Sequence, residues 1–195
     1  GFVLAPQFPL RTERFVGAAV RTFFENLLPE GEALDDIVSA IHLRGASSFE
    51  VLGRLGAELP GVLSLLSEAG RPDNQQEYRN LSFDALSARL ADRGNVPLLI
   101  SNTHATMSLA GAQDKMGLRL DKKTKRLSDS DGHSPTTHIL KPDSRQPRYQ
   151  PRAINEYACM KLARALKLPV PDVWLLRVPE ASYVVERYDR QSIAG

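Results

Sequence analysis

The sequence is poor in the residues that staple, anchor or export a chain. A single cysteine, Cys159, stands among 195 residues. No internal disulfide can form and no second thiol can complete a zinc site, so a reducing, cytoplasmic compartment is the natural expectation. The most apolar uninterrupted central stretch, Val96 to Ile100, contains Pro97 and falls far short of the ~20 residues that a membrane-spanning helix needs. The start, Gly1 to Leu10, has no basic segment ahead of a long apolar run, so no signal peptide is expected. It also lacks an initiator methionine, as a fragment or processed chain would. Net charge is equally scarce: 25 Lys and Arg against 23 Asp and Glu leave +2. That balance argues against nucleic-acid binding by the fold as a whole, and any phosphate ligand must be held locally. There is no repeat of 20 to 50 residues, hence no solenoid. His42, His104, His133 and His138 show no i, i+4 or HExxH spacing with a carboxylate, so no metal is assigned to them.

What is present is enough apolar content, 42%, for one sizeable core or two small ones. Val16, Val20, Phe23, Phe24, Leu27 and Leu28 lie on one helical stripe ending at Pro29. A second helix is expected from Glu32 to Leu43, and Ser47 with Glu50 forms a capping box for a third through Leu55. Gly61 to Leu66 reads as a strand after a Pro-Gly turn. The polar stretch Arg71 to Arg79 has no periodicity and marks a subdomain boundary. Ser82 caps a helix carrying Leu86 and Leu90.

After Gly94 helical period gives way to alternation. Strands are expected near Met107 to Ala110, Lys115 to Asp121, Thr137 to Lys141, Val173 to Val178 and Ser182 to Tyr188. One helix, Asn155 to Lys167, interrupts them, with Ala158, Cys159, Leu162, Ala163 and Leu166 as its inward side. The charged run Asp121 to Pro135 has nothing apolar to bury and is expected as an exposed, mobile hairpin loop. Its basic Lys122 to Arg126 cluster reads as solvated surface, with nucleic-acid contact as the weaker alternative.

Four segments could carry chemistry. Ser108 to Lys115 is either a hairpin turn or a small-residue loop whose backbone N–H groups approach a phosphate, with Lys115 adding charge. Lys141 ends an alternating strand, where it points to solvent or is paired with a phosphate or carboxylate. Glu156 sits in the first turn of the following helix, favoured there by the helix dipole, or as an ion-pair partner of Lys141 that positions a nucleotide-binding lysine. Tyr183 to Arg190 leaves a β-branched strand through a charged, aromatic exit. Such an exit is either an ordinary edge or a place for backbone groups to meet an adenine edge, with Tyr188 covering it. Together the four occur in the order of a protein-kinase small lobe.

On these residues the chain resembles the HipA family of bacterial toxin kinases. The resemblance rests on Ser108-Leu-Ala-Gly-Ala-Gln-Asp-Lys115, Thr136-Thr-His-Ile-Leu-Lys141, Asn155-Glu-Tyr157, Leu168-Pro-Val-Pro171 and Val185-Glu-Arg-Tyr-Asp-Arg190. Phe23-Phe-Glu-Asn-Leu-Leu-Pro29 is similar to that family's amino-terminal subdomain. Asp114 stands where the family has glutamate, which keeps the charge.

The resemblance implies an α+β fold. A helical and mixed amino-terminal subdomain over residues 1–80, incomplete at its start, precedes a kinase-like small lobe over 81–195, mainly antiparallel sheet with one helix. It implies that Ala110, Gly111, Ala112, Gln113, Asp114 and Lys115 form a phosphate loop, that Lys141 contacts the α/β phosphates of ATP, and that Glu186, Arg187 and Tyr188 form the adenine hinge. Ser108 would be the autophosphorylated serine. The large helical lobe, with the catalytic and Mg²⁺-binding aspartates, is expected beyond Gly195, so this chain alone is expected to be inactive. The implied partners are a DNA-binding, HipB-like antitoxin, with DNA reached only through it, and glutamyl-tRNA synthetase as protein substrate. The competing expectation is a non-catalytic module that binds an antitoxin.

Overall fold

The structure, a computed structural model, describes residues 3–57, 59, 63–66, 77–101, 104–105, 111, 113–130 and 134–190. The amino-terminal part is helical. α1 (Ala18–Glu25), α2 (Glu32–Ala40) and α3 (Ser48–Leu55) bring Leu28, Ile37, Val51, Leu52, Leu55 and Leu59 into one apolar cluster. The capping box forms as its spacing requires. Ser47 Oγ accepts from Glu50 N–H, and the Glu50 carboxylate accepts from Ser47 N–H at 2.8 Å. Those hydrogen bonds hold the Glu50 carboxyl below its usual range.

The rest is built on a six-stranded antiparallel sheet. In chain order its strands are β1 (Tyr78–Leu81), β4 (Met116–Leu120), β5 (Leu127–Ser130), β6 (His138–Pro142), β7 (Val173–Arg177) and β8 (Ala181–Glu186), and their spatial order is β1-β5-β4-β6-β8-β7. A separate short pair joins β2 (Ile100–Ser101) to β3 (His104–Ala105). α4 (Phe83–Ala91), capped by Ser82, closes one face of the sheet, where Leu86, Leu90, Met116, Leu118, Leu140 and Val184 are buried together. α5 (Arg152–Ala165) covers part of the other face. The fold is α+β, as expected. Among the described residues no helix is long and apolar enough to cross a membrane.

Several expectations need correction. Leu63 to Leu66 is not a strand; it is held by Leu65 N–H donating to Gly56 C=O, and residues 61–62 lie outside the described part. The stripe from Val16 to Leu28 is helical only over α1. Val16 is 81% exposed, and Phe23 instead stacks edge-on with Phe8 and Phe24. The charged run after Asp121 is not simply a loose loop. Leu127 is buried and starts β5, which pairs with both β1 and β4, so one apolar residue in the right register recruits a polar segment to the sheet.

α5 begins three residues before Asn155, which puts Glu156 in its second turn and removes the first-turn dipole argument. Its inward side is Ala153, Tyr157 and Met160, while Cys159, Leu162 and Leu166 are exposed. The apolar stripe on Leu162 and Leu166 misled the helical phase, because the sheet selects the face that carries Ala153 and Tyr157. Ser108 and the strand expected over 107–110 lie outside the described residues.

Candidate functional site

Period two in β6 decides where Lys141 goes. His138, Leu140 and Pro142 are buried on the α4 side, which leaves Ile139 and Lys141 on the opposite face, partly exposed. Register places Lys141 across from Tyr183 and Ile139 across from Val185 in β8. α5 packs on this same face through Ala153, Tyr157 and Met160 against Tyr183, Val173, Leu175 and Val185. Glu156 is therefore delivered to the strand lysine: Glu156 Oε2 accepts from Lys141 Nζ at 2.7 Å, with each side chain about a quarter exposed.

The ammonium also lies 5.7 Å from the Tyr183 ring centroid. Burial, with the Glu156 charge adding to it, pushes the Tyr183 phenol up to about 12, so it stays a neutral donor. In the sequence Tyr183 stands only near the start of a strand; its place across from Lys141 is what singles it out.

The ion pair opens on a cleft of about 410 Å³. Ile139, Met160, Pro171, Tyr183 and Val185 give it an apolar lining, and Glu186 to Asp189 edge it. Its size and its few convergent polar groups suit a small-molecule site. Of the three hinge expectations, Tyr188 stands at the edge, 92% exposed. The other two side chains turn elsewhere. The Glu186 carboxylate is held by Lys122 at 2.8 Å, and its N–H donates to Asp172 C=O. Arg187 is buried: its guanidinium donates to the Asp189 carboxylate (2.7 and 3.0 Å) and to Thr136 Oγ1 (2.9 Å), and its N–H donates to Thr137 C=O.

Lys122 belongs to the basic cluster read as solvated surface. It also donates to Asp172 (3.1 Å) and lies 5.8 Å from the Trp174 ring centroid. The hydrogen bond to Glu186 raises its pKa above the ordinary lysine value. It thus ties the β4–β5 turn to the far side of the hinge, a role not foreseen from sequence.

The described part of the expected phosphate loop sits along the seam with α2. Gly111, Gln113, Asp114 and Lys115 border a small cavity with Ala33, Asp36 and Ile37. Gly111 has φ +100°, and a Cβ there would come within 3.1 Å of Lys115 Nζ, which donates to Gly111 C=O at 3.1 Å. The Lys115 pKa falls to about 8. Burial is the main cause and the positive Lys141 the second, against opposing pulls from Glu30, Glu156 and Asp114. Asp114 faces Arg93 and Arg145, each at 3.5 Å. The structure therefore brings Lys141, Glu156, Glu186, Arg187 and Tyr188 around one cleft and sets Gly111, Gln113, Asp114 and Lys115 beside it, with Lys115 within electrostatic reach of Lys141. Ala110, Ala112 and Ser108 are outside the described residues.

Comparisons with known proteins bear on the family and the fold. A family model described as the HipA N-terminal domain matches residues 1–66, and one described as the HipA-like C-terminal domain matches residues 107–194. The serine/threonine-protein kinase toxin HipA of Shewanella oneidensis is 27% identical over 197 residues, covering 100% of this chain and 43% of the relative. The putative kinase Y4mE of Sinorhizobium fredii is 36% identical over 200 residues, covering 96% of this chain and 45% of the relative. A solved complex of HipA, HipB and operator DNA from Shewanella oneidensis matches with a TM-score of 0.71 at 25% identity, over 90% of this chain and 40% of that one. The chain spans less than half the length of the curated relatives it matches.

Proposed function

Because the chain belongs to the HipA family, we propose that it is the ATP-holding part of a serine/threonine protein kinase toxin of a toxin–antitoxin system, with a kinase-like small lobe over residues 81–195. The observation that carries this reading is the 2.7 Å pair between Lys141 on a strand and Glu156 on the helix packed over that strand, opening on a cleft beside Tyr188. In phosphoryl transfer a lysine so oriented contacts the α/β phosphates and holds the nucleotide in line. Glu156 keeps the lysine extended over Tyr183.

Two cations that share one field, Lys115 and Lys141, make a neighbourhood that gains from negative charge, which a polyphosphate supplies. The amide N–H groups of Glu186 and Arg187 are committed to Asp172 and Thr137, so these two residues would meet the base through their carbonyl groups, with Tyr188 at the edge of the cleft. Mg²⁺ would neutralise the phosphates when bound. Among the described residues, no group of three or more His, Cys, Asp or Glu side chains could hold it.

Ser108, in the expected phosphate loop, is the proposed autophosphorylation site. A phosphate there would add nearly two negative charges within the expected phosphate loop and repel ATP. The proposed partners are a HipB-like antitoxin, supported by the solved complex of a relative, and glutamyl-tRNA synthetase as substrate, which rests on family resemblance. The length of the relatives keeps a second reading in view, that of a non-catalytic module that binds the antitoxin.

The test is incubation with labelled ATP and Mg²⁺ of a version extended at its carboxyl end to the length of the relatives. Label on the wild type but not on Ser108→Ala supports the kinase and its self-modification. ATP binding without label on the protein or on glutamyl-tRNA synthetase supports the non-catalytic module.

A further inference from the structure

α5 carries Glu156, yet the residues just before it give it no cap. Its N-cap position is Pro151, no side chain caps it locally, and no acidic residue lies in its first turn. The cap comes from ten residues back: Ala153 N–H donates to Asp143 Oδ1 at 2.8 Å, a buried hydrogen bond.

Asp143 is itself held on two sides. Its N–H donates to Ala181 C=O at 3.0 Å, which extends the β6–β8 ladder by one rung. Its C=O accepts from Arg93 Nη2 at 3.1 Å. Arg93 is 8% exposed and also reaches Leu90 C=O (2.7 Å) and Glu180 (2.5 Å), with Asp114 at 3.5 Å. This buried guanidinium thus joins α4, the β7–β8 turn, the Gly111–Lys115 loop and Asp143.

Lys141 and Asp143 are two residues apart on one extended segment, and Ala153 and Glu156 are three apart on one helix. Two tethers therefore run side by side from strand to helix, one a buried cap and the other a partly exposed ion pair. The cap is the less yielding of the two, since it is shielded from water and salt. We infer that Asp143, anchored by Arg93, is a positioning residue that sets the phase of α5 so that Glu156 meets Lys141. This rests on the kinase reading for its consequence, nucleotide affinity, but its structural content is independent of it.

ATP affinity of the extended protein is measured for Asp143→Ala and Asp143→Asn, alone and with Glu156→Gln, after circular dichroism has shown each variant folded. Asp143→Ala is expected to weaken ATP by about tenfold alone and by less than about twofold beside Glu156→Gln, the signature of acting through that residue. Asp143→Asn, which keeps the acceptor oxygen, stays within about threefold of wild type. Equal losses in both backgrounds, or no loss at all, overturn the inference, as does failure of Asn to rescue.

Crystal structures of wild type and Asp143→Ala give a second readout. The Lys141–Glu156 separation is expected to open beyond the ~4 Å of an ion pair, and a pair kept at its present length overturns the inference. If the wild type binds no ATP, the kinase reading fails while the structural comparison still decides the role of Asp143. Should Asp143→Ala not fold, Arg93→Met replaces it in both experiments with the same expected directions and the same overturning outcomes.

Discussion

The two faces of the β6–β8 ribbon share one backbone and divide its labour. On one face Leu140 and Val184 are fully buried under α4, with His138 against Trp174 at its end. On the other, Lys141 meets Glu156 under α5 and stays partly exposed above the buried Tyr183 ring. Alternation lets adjacent residues serve opposite ends: the buried neighbours supply the stability that holds a charged side chain in an unfavourable, half-dry position. Substitutions one residue apart in β6 should therefore differ in kind.

The largest effect is expected at Leu140→Ala. It should cost about 2–5 kcal/mol of unfolding free energy by urea titration, because a fully buried side chain leaves a cavity. A loss below 1 kcal/mol would mean that the α4 face is not the support described.

His138 comes next. Burial lowers its pKa to about 4, and Nε2 is buried without a hydrogen-bond partner among the described residues. The neutral ring is favoured in the fold, so its contribution is intact above the unfolded pKa of ~6.5 and is lost as pH falls from there towards 4. The size is on the order of 2–3 kcal/mol. His138→Leu should flatten the stability–pH curve across that window, and an unchanged slope would break the assignment of His138 to the dry face.

Lys122→Ala is expected to be the smallest change. Its pairs with Asp172 and Glu186 are largely exposed, so stability should move by less than about 1 kcal/mol in thermal or urea unfolding. A larger loss would show that the tie behind the hinge does more than a surface ion pair.

The same two faces show what the sequence could and could not reveal. Lys141, Glu156 and the strand through Val185 were legible because alternation and order in the chain are local properties. The Ser47–Glu50 cap and the Ser82 cap were legible for the same reason. The phase of α5 was not, because Leu162 and Leu166 form the more obvious apolar stripe, while the contacts of Ala153 and Tyr157 with the sheet and the cap from Asp143 are tertiary. β5 was hidden in a charged run because Leu127 is its one apolar residue and its other buried residue, Ser130, is polar. Asp143 and Arg93 were invisible for a different reason: a cap borrowed from ten residues away and a guanidinium joining four segments are tertiary facts with no local pattern.

The central claim, that the Lys141 face holds a nucleotide, is tested most directly by calorimetric titration of ATP with Mg²⁺ into wild type and Lys141→Ala, each as the chain described and as the version extended at its carboxyl end. The account predicts that the extended wild type binds and that Lys141→Ala weakens binding by about tenfold or more while its unfolding free energy stays within about 1 kcal/mol of wild type. Equal affinity in the two proteins, or no binding by the extended wild type, would contradict it.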